Sequence, residues 1–346
     1  MAGCGEAQHS GIPVFHHSNS IVMFAMAIAS DESPLVRELK SMPDLKLKLA
    51  EPLARYTSMK VGGPADYFIA VENGAVLAAV LQLLCRFDIA VSLLGNGSNV
   101  LVSDRGVRGA VIRLAGEFKK ISWQDEGDFV RVQVGAAYAV TLLVREAARK
   151  GCAGLEFAEG IPGSVGGALV MNAGAYGSEF ERVVEQVEAV SPTGAPIMFT
   201  RAQMTFSYRD SHLPAGTVAT RVTLRLRKAE AAEVDSKLRA LVGKRKSSQP
   251  SGFPNSGSMF RNPSGDYAGR LIEAAGLKGK RVGQAQIAER HANFIVNLGG
   301  AKGEDVRQLM ALAQAEVKRQ FGVELIAEVK LMGEWEVAEL TTKVTK

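Results

Sequence analysis

The sequence predicts an α+β chain with more than one domain, and three observations lead to this class. The chain has 346 residues, more than one hydrophobic core usually organises. Its first half contains a strand–helix–strand pattern that runs into a glycine-rich turn, which is typical of a phosphate-binding α/β unit. Its second half places amphipathic helices between short strands, and we find no internal repeat.

Hydrophobic periodicity predicts the elements of the first half in order. Apolar residues in 33–48 recur at roughly helical spacing, and residues 136–151 form a second amphipathic pattern with Gly151 at the C-terminal cap position. The other segments are a strand that ends at a turn (65–74), an apolar helix (75–88), a buried strand (89–95) and two further strands (109–114 and 128–135).

The second half is predicted in the same way. Val222, Leu224 and Leu226 alternate on one face of a strand over 216–228. The remaining elements are a hairpin with a turn at Pro192–Gly194 (183–199), helices (229–246, 268–279 and 303–322), a strand (291–300) and a last strand (323–333).

Composition excludes several classes of function. The net charge of +5 suits phosphate-bearing ligands, but aromatic residues make up only 6% and no basic stripe is present, so we expect no nucleic-acid partner. Cys4, Cys85 and Cys152 are far apart and show no metal-ligand spacing. We therefore expect no metal site and no disulfide framework, in a reduced, cytoplasmic protein.

Residues 1–31 contain the apolar run IVMFAMAIAS. No Lys or Arg precedes this run, unlike in a signal peptide, and it is too short to span a bilayer. We expect no membrane association. We interpret the segment as a disordered extension, or as residues that precede the true start of translation at Met23 or Met26.

Two glycine-rich loops are the strongest candidates for ligand binding. The first, Gly95–Asn99, follows a strand and would present a concave set of backbone N–H groups to phosphate, although spacing alone leaves a plain turn equally open. The second lies in residues 154–180, where a purely structural loop of such glycine density would cost much conformational entropy. Together the loops indicate an extended ligand such as a dinucleotide.

Three further stretches are weak signals individually. Residues 56–68 read YTSMKVGGPADYF, and residues 206–214 place Arg209 between Tyr208 and Asp210, a pattern that a surface ion pair would also explain. In GFPNSGSMFRNP, residues 252–263, turn chemistry explains the Gly and Pro positions but not Ser258 beside Met259.

Taken in order, YTSMKVGGPADYF, LLGNGSNVLVSD, GIPGSVGGALVMNAGAYG, YRDS, GSMFRNP and IAEVKLMG resemble the family of UDP-N-acetylenolpyruvoylglucosamine reductases. The resemblance runs from about residue 35 to residue 333. It implies an FAD-binding region of the vanillyl-alcohol-oxidase type, followed by an α+β substrate-binding domain. The family has a variety with an extra Tyr-bearing loop after YRDS. This chain passes almost directly into a strand there and resembles the shorter variety.

The resemblance also implies a division of the chain and a set of ligands. The expected parts are an N-terminal extension (1–31), an FAD-binding region of two subdomains (32–228), a substrate domain whose last strand returns to the first subdomain (229–334) and a tail (335–346). The implied cofactors are non-covalent FAD and NADPH. The implied substrate is a sugar nucleotide, bound by a monomer.

By motif match, Ser258 is the proton donor, Arg209 faces the enediolate that develops on the substrate, and Glu328 is the partner of Arg209. Without the resemblance, Glu328 reads as a carboxylate that shares a strand face with Glu324. The implied cofactor-binding residues are Gly95, Asn96, Gly97, Ser98, Asn99, Pro162, Gly163, Ser164, Gly166, Gly167, Asn172, Gly174, Ala175 and Tyr176.

Candidate substrate-binding residues lie beyond Ser258. Asn262 and Arg261 are candidates for the uridine diphosphate. His291 and Asn293 are equally well explained as polar groups at a strand edge. The basic residues 244–246 suit a helix C-terminus, and would also attract an anionic ligand.

Two other functions compete with this interpretation. One is an oxidase of the same fold class, but oxidases that hold FAD covalently often do so through a His in the first glycine loop, and GNGSN contains none. The other is a nucleotide-binding module without catalytic activity, which the glycine loops alone would support.

Overall fold

The structure, a computed structural model, describes residues 33–335. The predictions for residues 1–31, and for the tail beyond Trp335, lie outside the described residues. None of the helices in 33–335 combines the length and the apolar character needed to cross a membrane.

The first layer is a four-stranded sheet of order β1-β2-β5-β3 with helices packed on one face. Strand β1 is antiparallel to β2, whereas β2 and β3 are both parallel to β5. The elements are α1 Pro34–Ser41, β1 Leu45–Pro52, β2 Pro64–Val71, α2 Gly74–Arg86, β3 Val91–Leu93, β4 Val100–Val102 and β5 Val107–Leu114.

Two predictions for this layer are wrong. The helical pattern of 33–48 is in fact a short helix followed by a strand, because Asp44 takes a φ of +54° after Pro43 and the leucines from Leu45 onward alternate with lysines. The strand expected to be buried is β3, but Leu93 is 40% exposed because β3 is an edge strand.

The second layer is a six-stranded sheet of order β12-β11-β13-β7-β6, with β8 also paired to β13. As predicted, Val222, Leu224 and Leu226 lie in its core, each with no exposed surface. The elements are β6 Ile121–Glu126, β7 Phe129–Gly135, α3 Val140–Arg149, β8 Cys152–Ala153, α4 Val165–Val170, β9 Gly174–Ala175, β10 Ser178–Glu179, β11 Val184–Val190, β12 Pro196–Thr200, β13 Val218–Lys228 and α5 Ala231–Ser248.

Helix α3 begins four residues later than the pattern predicts, because Ala136 donates its N–H to the carbonyl of Thr220 and so belongs to the sheet edge. Gly151 follows the helix with a φ of +65°, as expected of a C-terminal cap. Helix α5 was assigned to the substrate domain, yet its buried residues Val234 and Leu238 pack into the core of the second layer.

The third layer is a four-stranded sheet of order β14-β17-β16-β15 covered by two helices. Met59 and Leu101 of the first layer belong to its hydrophobic core, so the two layers share a buried interface. The elements are β14 Asn255–Ser258, α6 Ala268–Ala274, β15 Arg281–Val282, β16 Ala285–Ile287, β17 Phe294–Asn297, α7 Gly303–Phe321 and β18 Lys330–Met332.

The last strand is shorter than predicted. Within 323–333, β18 is the paired strand and lies parallel to β4, with Leu331 opposite Leu101, while Ala327 forms an isolated antiparallel bridge with Phe260. Met332 then packs against Leu53 and Phe68 in the core of the first layer. Glu328 precedes the strand, so the strand face that it was expected to share with Glu324 is not present.

Asn297 connects the third layer to the first through three hydrogen bonds of its side chain. Its amide nitrogen donates to the carbonyl of Met59 at 3.0 Å, and its oxygen accepts from the N–H groups of Gly299 and Ala301 at 2.9 and 3.0 Å. The residue is only 3% exposed, so water cannot replace these bonds easily.

We predict that Asn297→Ala lowers the free energy of unfolding by about 2–4 kcal/mol, because it leaves buried backbone groups without partners. Urea unfolding followed by circular dichroism measures this change. Gln308→Ala on the exposed face of α7 is the control and should be nearly neutral. Equal stability of the two variants would contradict the role given to Asn297.

Candidate active site

The two glycine loops meet in the structure. The hydroxyl of Ser98 donates to the carbonyl of Pro162 at 3.0 Å. A Cβ atom on Gly95 would lie 2.6 Å from Oγ of Ser164, and one on Gly163 would lie 3.0 Å from Oγ of Ser98. Only glycine permits this approach, so the loops form one continuous surface.

The first glycine loop retains unused hydrogen-bond donors. Within residues 33–335, the backbone N–H groups of Gly95–Asn99 donate to no protein acceptor, although Gly97 is buried. Consecutive free N–H groups in a turn suit the oxygens of a diphosphate. The second loop contributes α4, where Ser164 accepts from the N–H of Gly167, and a Cβ on Gly166 would come within 3.0 Å of Ala136. This surface fits a ligand with a diphosphate, as the predicted FAD has.

The stretch 56–68, a weak signal in the sequence, supports the first loop. The N–H of Ser58 donates to the carbonyl of Gly97 at 2.9 Å, and a Cβ on Gly97 would lie 2.0 Å from the carbonyl oxygen of Tyr56. The Tyr56 ring stacks on Phe68 with the centroids 4.3 Å apart. Sequence reasoning did not assign Tyr56 or Ser58 to the site, although both lie in a quoted motif.

Arg209 and Glu328 form an ion pair beside these loops. They are 119 residues apart in the sequence, and Nε of Arg209 donates to Oε1 of Glu328 at 3.0 Å. The two side chains are 17% and 16% exposed. Arg209 lies in a tight turn with a φ of +62°, in which Ser207 and Asp210 exchange backbone hydrogen bonds.

The guanidinium of Arg209 has further contacts. Its Nη2 donates to the carbonyl of Gly174 at 3.2 Å, and its Nη1 lies 3.8 Å from Oε1 of Glu179. The guanidinium carbon is also 4.6 Å from the ring centroid of Tyr208. The side chain of Arg209 is therefore partly buried and contacted on several sides, which the alternative of a surface ion pair does not describe.

Ser258 ends β14 on a segment that lies against Glu328. The next residue, Met259, accepts the N–H of Glu328 at its carbonyl at 2.8 Å, and Arg261 donates its N–H to the carbonyl of Ile326 at 2.9 Å. Gly257 takes a φ of +75°, which allows the turn before Ser258. The structure thus brings the segments of all three predicted catalytic residues together.

The first glycine loop also contacts the Glu328 segment. Nδ2 of Asn99 donates to the carbonyl of Glu328 at 3.3 Å, and the N–H of Lys330 donates to the carbonyl of Asn99 at 3.1 Å. The predicted cofactor loop therefore lies next to the backbone of the residue that carries the predicted catalytic carboxylate.

Burial and charge act in opposite directions on Glu328. Burial raises the pKa of the carboxyl above its ordinary value of 4.5, while the positive charges of Arg209, Arg261 and Lys330 work to lower it. Burial also lowers the pKa of Lys330, and the charge of Arg261 adds to that effect. Sequence reasoning missed Lys330, since nothing in its spacing marks it.

Arg261 has a buried Nε with no hydrogen-bond partner among the described residues. An unsatisfied guanidinium donor is costly in a protein interior and is well placed for an anionic ligand. This placement is compatible with the predicted role in substrate binding.

The other substrate candidates use their polar atoms inside the protein. Asn293 is 2% exposed, accepts the N–H of Phe260 and donates to the carbonyl of the same residue. Asn262 accepts the N–H of Ala268 at 3.1 Å. His291 packs its ring on Phe294 at 4.9 Å, and burial lowers its pKa. These contacts support the loop that carries Ser258, and substrate contact by these side chains stays a prediction.

Two residues of the second glycine loop differ in setting. Asn172 is fully buried and its amide bonds only to protein groups, whereas Tyr176 is 47% exposed and its hydroxyl lies 3.5 Å from the carbonyl of Leu241. Arg245 of the basic stretch 244–246 is half-buried and donates to the carbonyl of Glu159. No group of His, Cys, Asp or Glu suited to a metal ion occurs in residues 33–335.

Comparison with known proteins identifies the two regions. Residues 249–332 match the C-terminal domain family of UDP-N-acetylenolpyruvoylglucosamine reductases, and residues 65–199 match the FAD binding domain family. The C-terminal match begins directly after α5, which ends at Ser248.

Relatives match over nearly their whole length. A UDP-N-acetylenolpyruvoylglucosamine reductase 2 of Symbiobacterium thermophilum is 44% identical over 304 residues, covering 87% of this chain and 97% of that protein. A UDP-N-acetylenolpyruvoylglucosamine reductase of Myxococcus xanthus is 42% identical over 313 residues, covering 90% of this chain and 100% of that protein.

A solved structure agrees with the sequence comparisons. The UDP-N-acetylenolpyruvylglucosamine reductase of Thermus caldophilus superposes with a TM-score of 0.72 at 40% identity, covering 83% of this chain and 99% of that one. The predicted α+β fold with an FAD-binding region is confirmed, and with it the FAD cofactor. The chain belongs to the UDP-N-acetylenolpyruvoylglucosamine reductase family of FAD-dependent oxidoreductases.

Proposed function

We propose that the protein reduces the enolpyruvyl group of UDP-N-acetylglucosamine enolpyruvate to give UDP-N-acetylmuramate, with NADPH as the reductant, in peptidoglycan precursor synthesis. The observation that carries the proposal is the Arg209–Glu328 pair, which lies beside the segment of Ser258 and is bonded to the first glycine loop through Asn99. Low cysteine usage is compatible with work in the cytoplasm, and we expect a monomer.

The proposed roles follow from the charge that the reaction creates. The chemistry that bound FAD supplies is hydride transfer, from NADPH to flavin N5 and from N5 to C3 of the enolpyruvyl group. Addition at C3 leaves negative charge at C2, shared with the substrate carboxylate. Arg209 stays cationic and can bind this carboxylate through two N–H groups. Glu328 fixes the orientation of Arg209 through Nε.

Ser258 is proposed to donate the proton to C2. A hydroxyl is a weak acid, so the alkoxide that remains on Ser258 needs nearby positive charge. Arg209, Arg261 and Lys330 all act electrostatically on Glu328, whose N–H bonds to the residue after Ser258. We assign to Arg261 and Lys330 the assistance that Ser258 requires.

Ser258→Ala should leave the reduction of the flavin by NADPH unchanged and slow its reoxidation by the sugar nucleotide by about 10²–10⁴-fold, because the proton donor is lost. Anaerobic stopped-flow absorbance separates the two half-reactions. Ser256→Ala is the matched control, since Ser256 lies two residues earlier in β14 and bonds to the carbonyl of Val100. Reoxidation of Ser258→Ala at the rate of Ser256→Ala would remove Ser258 from the mechanism.

The pH dependence of reoxidation should report Glu328. Because burial raises the pKa of this carboxyl, it takes up a proton at a higher pH than an exposed Glu, and protonation removes the charge that holds Arg209. The reoxidation rate should therefore fall with decreasing pH, with a midpoint above 4.5.

Rate–pH profiles of two variants test this assignment. Glu328→Gln should be slow and lack this acid limb, whereas Glu324→Gln, an exposed residue four positions earlier, should keep it. An unchanged limb in Glu328→Gln would show that another group titrates.

A further inference from the structure

Glu179 and Glu328 contact different nitrogens of the Arg209 guanidinium. Glu179 ends β10, and its Oε1 is 3.8 Å from Nη1 of Arg209. Gly174, its partner in the β9–β10 ladder, accepts from Nη2 of the same guanidinium. The small hairpin thus contacts two of the three guanidinium nitrogens, and Glu328 contacts the third.

The side chain of Asn172 hydrogen-bonds both to Glu179 and to the turn that carries Arg209. Its Nδ2 donates to Oε2 of Glu179 at 2.8 Å and to the carbonyl of Ser207 at 3.1 Å, and its Oδ1 accepts the N–H of Glu181 at 3.0 Å. Asn172 is fully buried and has a φ of +38°, a conformation that Asn tolerates better than most residues. One amide therefore fixes both Glu179 and the turn that carries Arg209.

We propose that Glu179, itself oriented by Asn172, is a positioning residue for Arg209 in the sugar-nucleotide half-reaction. This inference rests on the proposed function, adds Glu179, and gives Asn172 a role different from its predicted contact with the cofactor. A free Arg side chain populates many rotamers, and ordering it during the reaction would slow the step. Glu179, held by Asn172, lies at Nη1, and the carbonyl of Gly174 accepts from Nη2. These contacts order the guanidinium before the substrate binds, so less reorganisation is needed as negative charge develops.

Stability alone does not account for this contact. A partly exposed ion pair at 3.8 Å adds little to the free energy of folding. The Glu181–Arg201 pair gives a direct comparison. Its nitrogen–oxygen distance is 3.5 Å, against 3.8 Å for Glu179–Arg209, and the side chain of Glu181 is 32% exposed, against 29% for Glu179. Only the Glu179 pair reaches a residue with a proposed part in the reaction.

Glu179→Gln tests the inference, because the Gln oxygen can still accept from Asn172 while the charge facing Arg209 is removed. We expect reoxidation by the sugar nucleotide to slow by about tenfold, with the rate of flavin reduction by NADPH, the melting temperature and the dissociation constant of the sugar nucleotide unchanged. Glu181→Gln, the matched control, should behave as wild type in all four measurements. An equal loss in both variants, or no loss in Glu179→Gln, would overturn the proposal.

A double-mutant cycle with Arg209→Ala decides whether Glu179 acts through Arg209. If it does, Arg209→Ala alone slows reoxidation strongly, and adding Glu179→Gln has no further effect. If the two losses multiply, Glu179 acts independently and the positioning role is wrong, while the proposed function stands. If Arg209→Ala reoxidises at the wild-type rate, the role of Arg209 in the proposed function fails as well.

Discussion

The contact between Arg209 and Glu328 depends on where the end of the chain returns. Glu328 is fixed by its N–H to the carbonyl of Met259 and by its carbonyl to Asn99, and β18 then pairs with β4. A short parallel ladder therefore places the side-chain carboxylate of Glu328 against a turn from the second layer. If β18 did not pair with β4, neither the ion pair nor the contact with the first glycine loop would form.

This placement concentrates charge in a partly buried region. Glu328 is partly buried near the positive charges of Arg209, Arg261 and Lys330. Burial raises the pKa of Glu328 and lowers the pKa of Lys330, and both shifts favour the neutral form of the group. Excess positive charge is expensive to bury without an anionic partner. A substrate that carries a diphosphate and a carboxylate, and that gains negative charge during its reduction, would compensate it. The same charges that are costly to bury would favour the transition state.

Sequence reasoning predicted the elements with strong periodicity and the residues inside quoted motifs. The alternation in 216–228 became β13, and the two glycine loops came together. The predictions were wrong where the exposure or the length of a strand depends on a partner that is distant in the sequence. Leu93 is exposed because β3 is an edge strand, and only three residues of 323–333 are paired as a strand because β4 is that short.

For the candidate site, too, some residues could be predicted from the sequence and others could not. Ser258, Arg209 and Glu328 came from the resemblance, and nothing local in the sequence relates residues 119 positions apart. Lys330 was missed because its setting comes from its neighbours, which spacing does not reveal. Asn172 was assigned to the cofactor as part of a motif, whereas its amide bonds lead to Glu179 and Ser207.

We propose that one site serves both the flavin and the sugar nucleotide. A sequential anaerobic titration of the wild-type protein tests this proposal. One equivalent of NADPH per flavin should bleach the flavin absorbance, and one equivalent of UDP-N-acetylglucosamine enolpyruvate should then restore it in full without oxygen. If NADPH bleaches the flavin but only oxygen restores its absorbance, the sugar nucleotide does not react with the flavin and the proposed shared site is wrong.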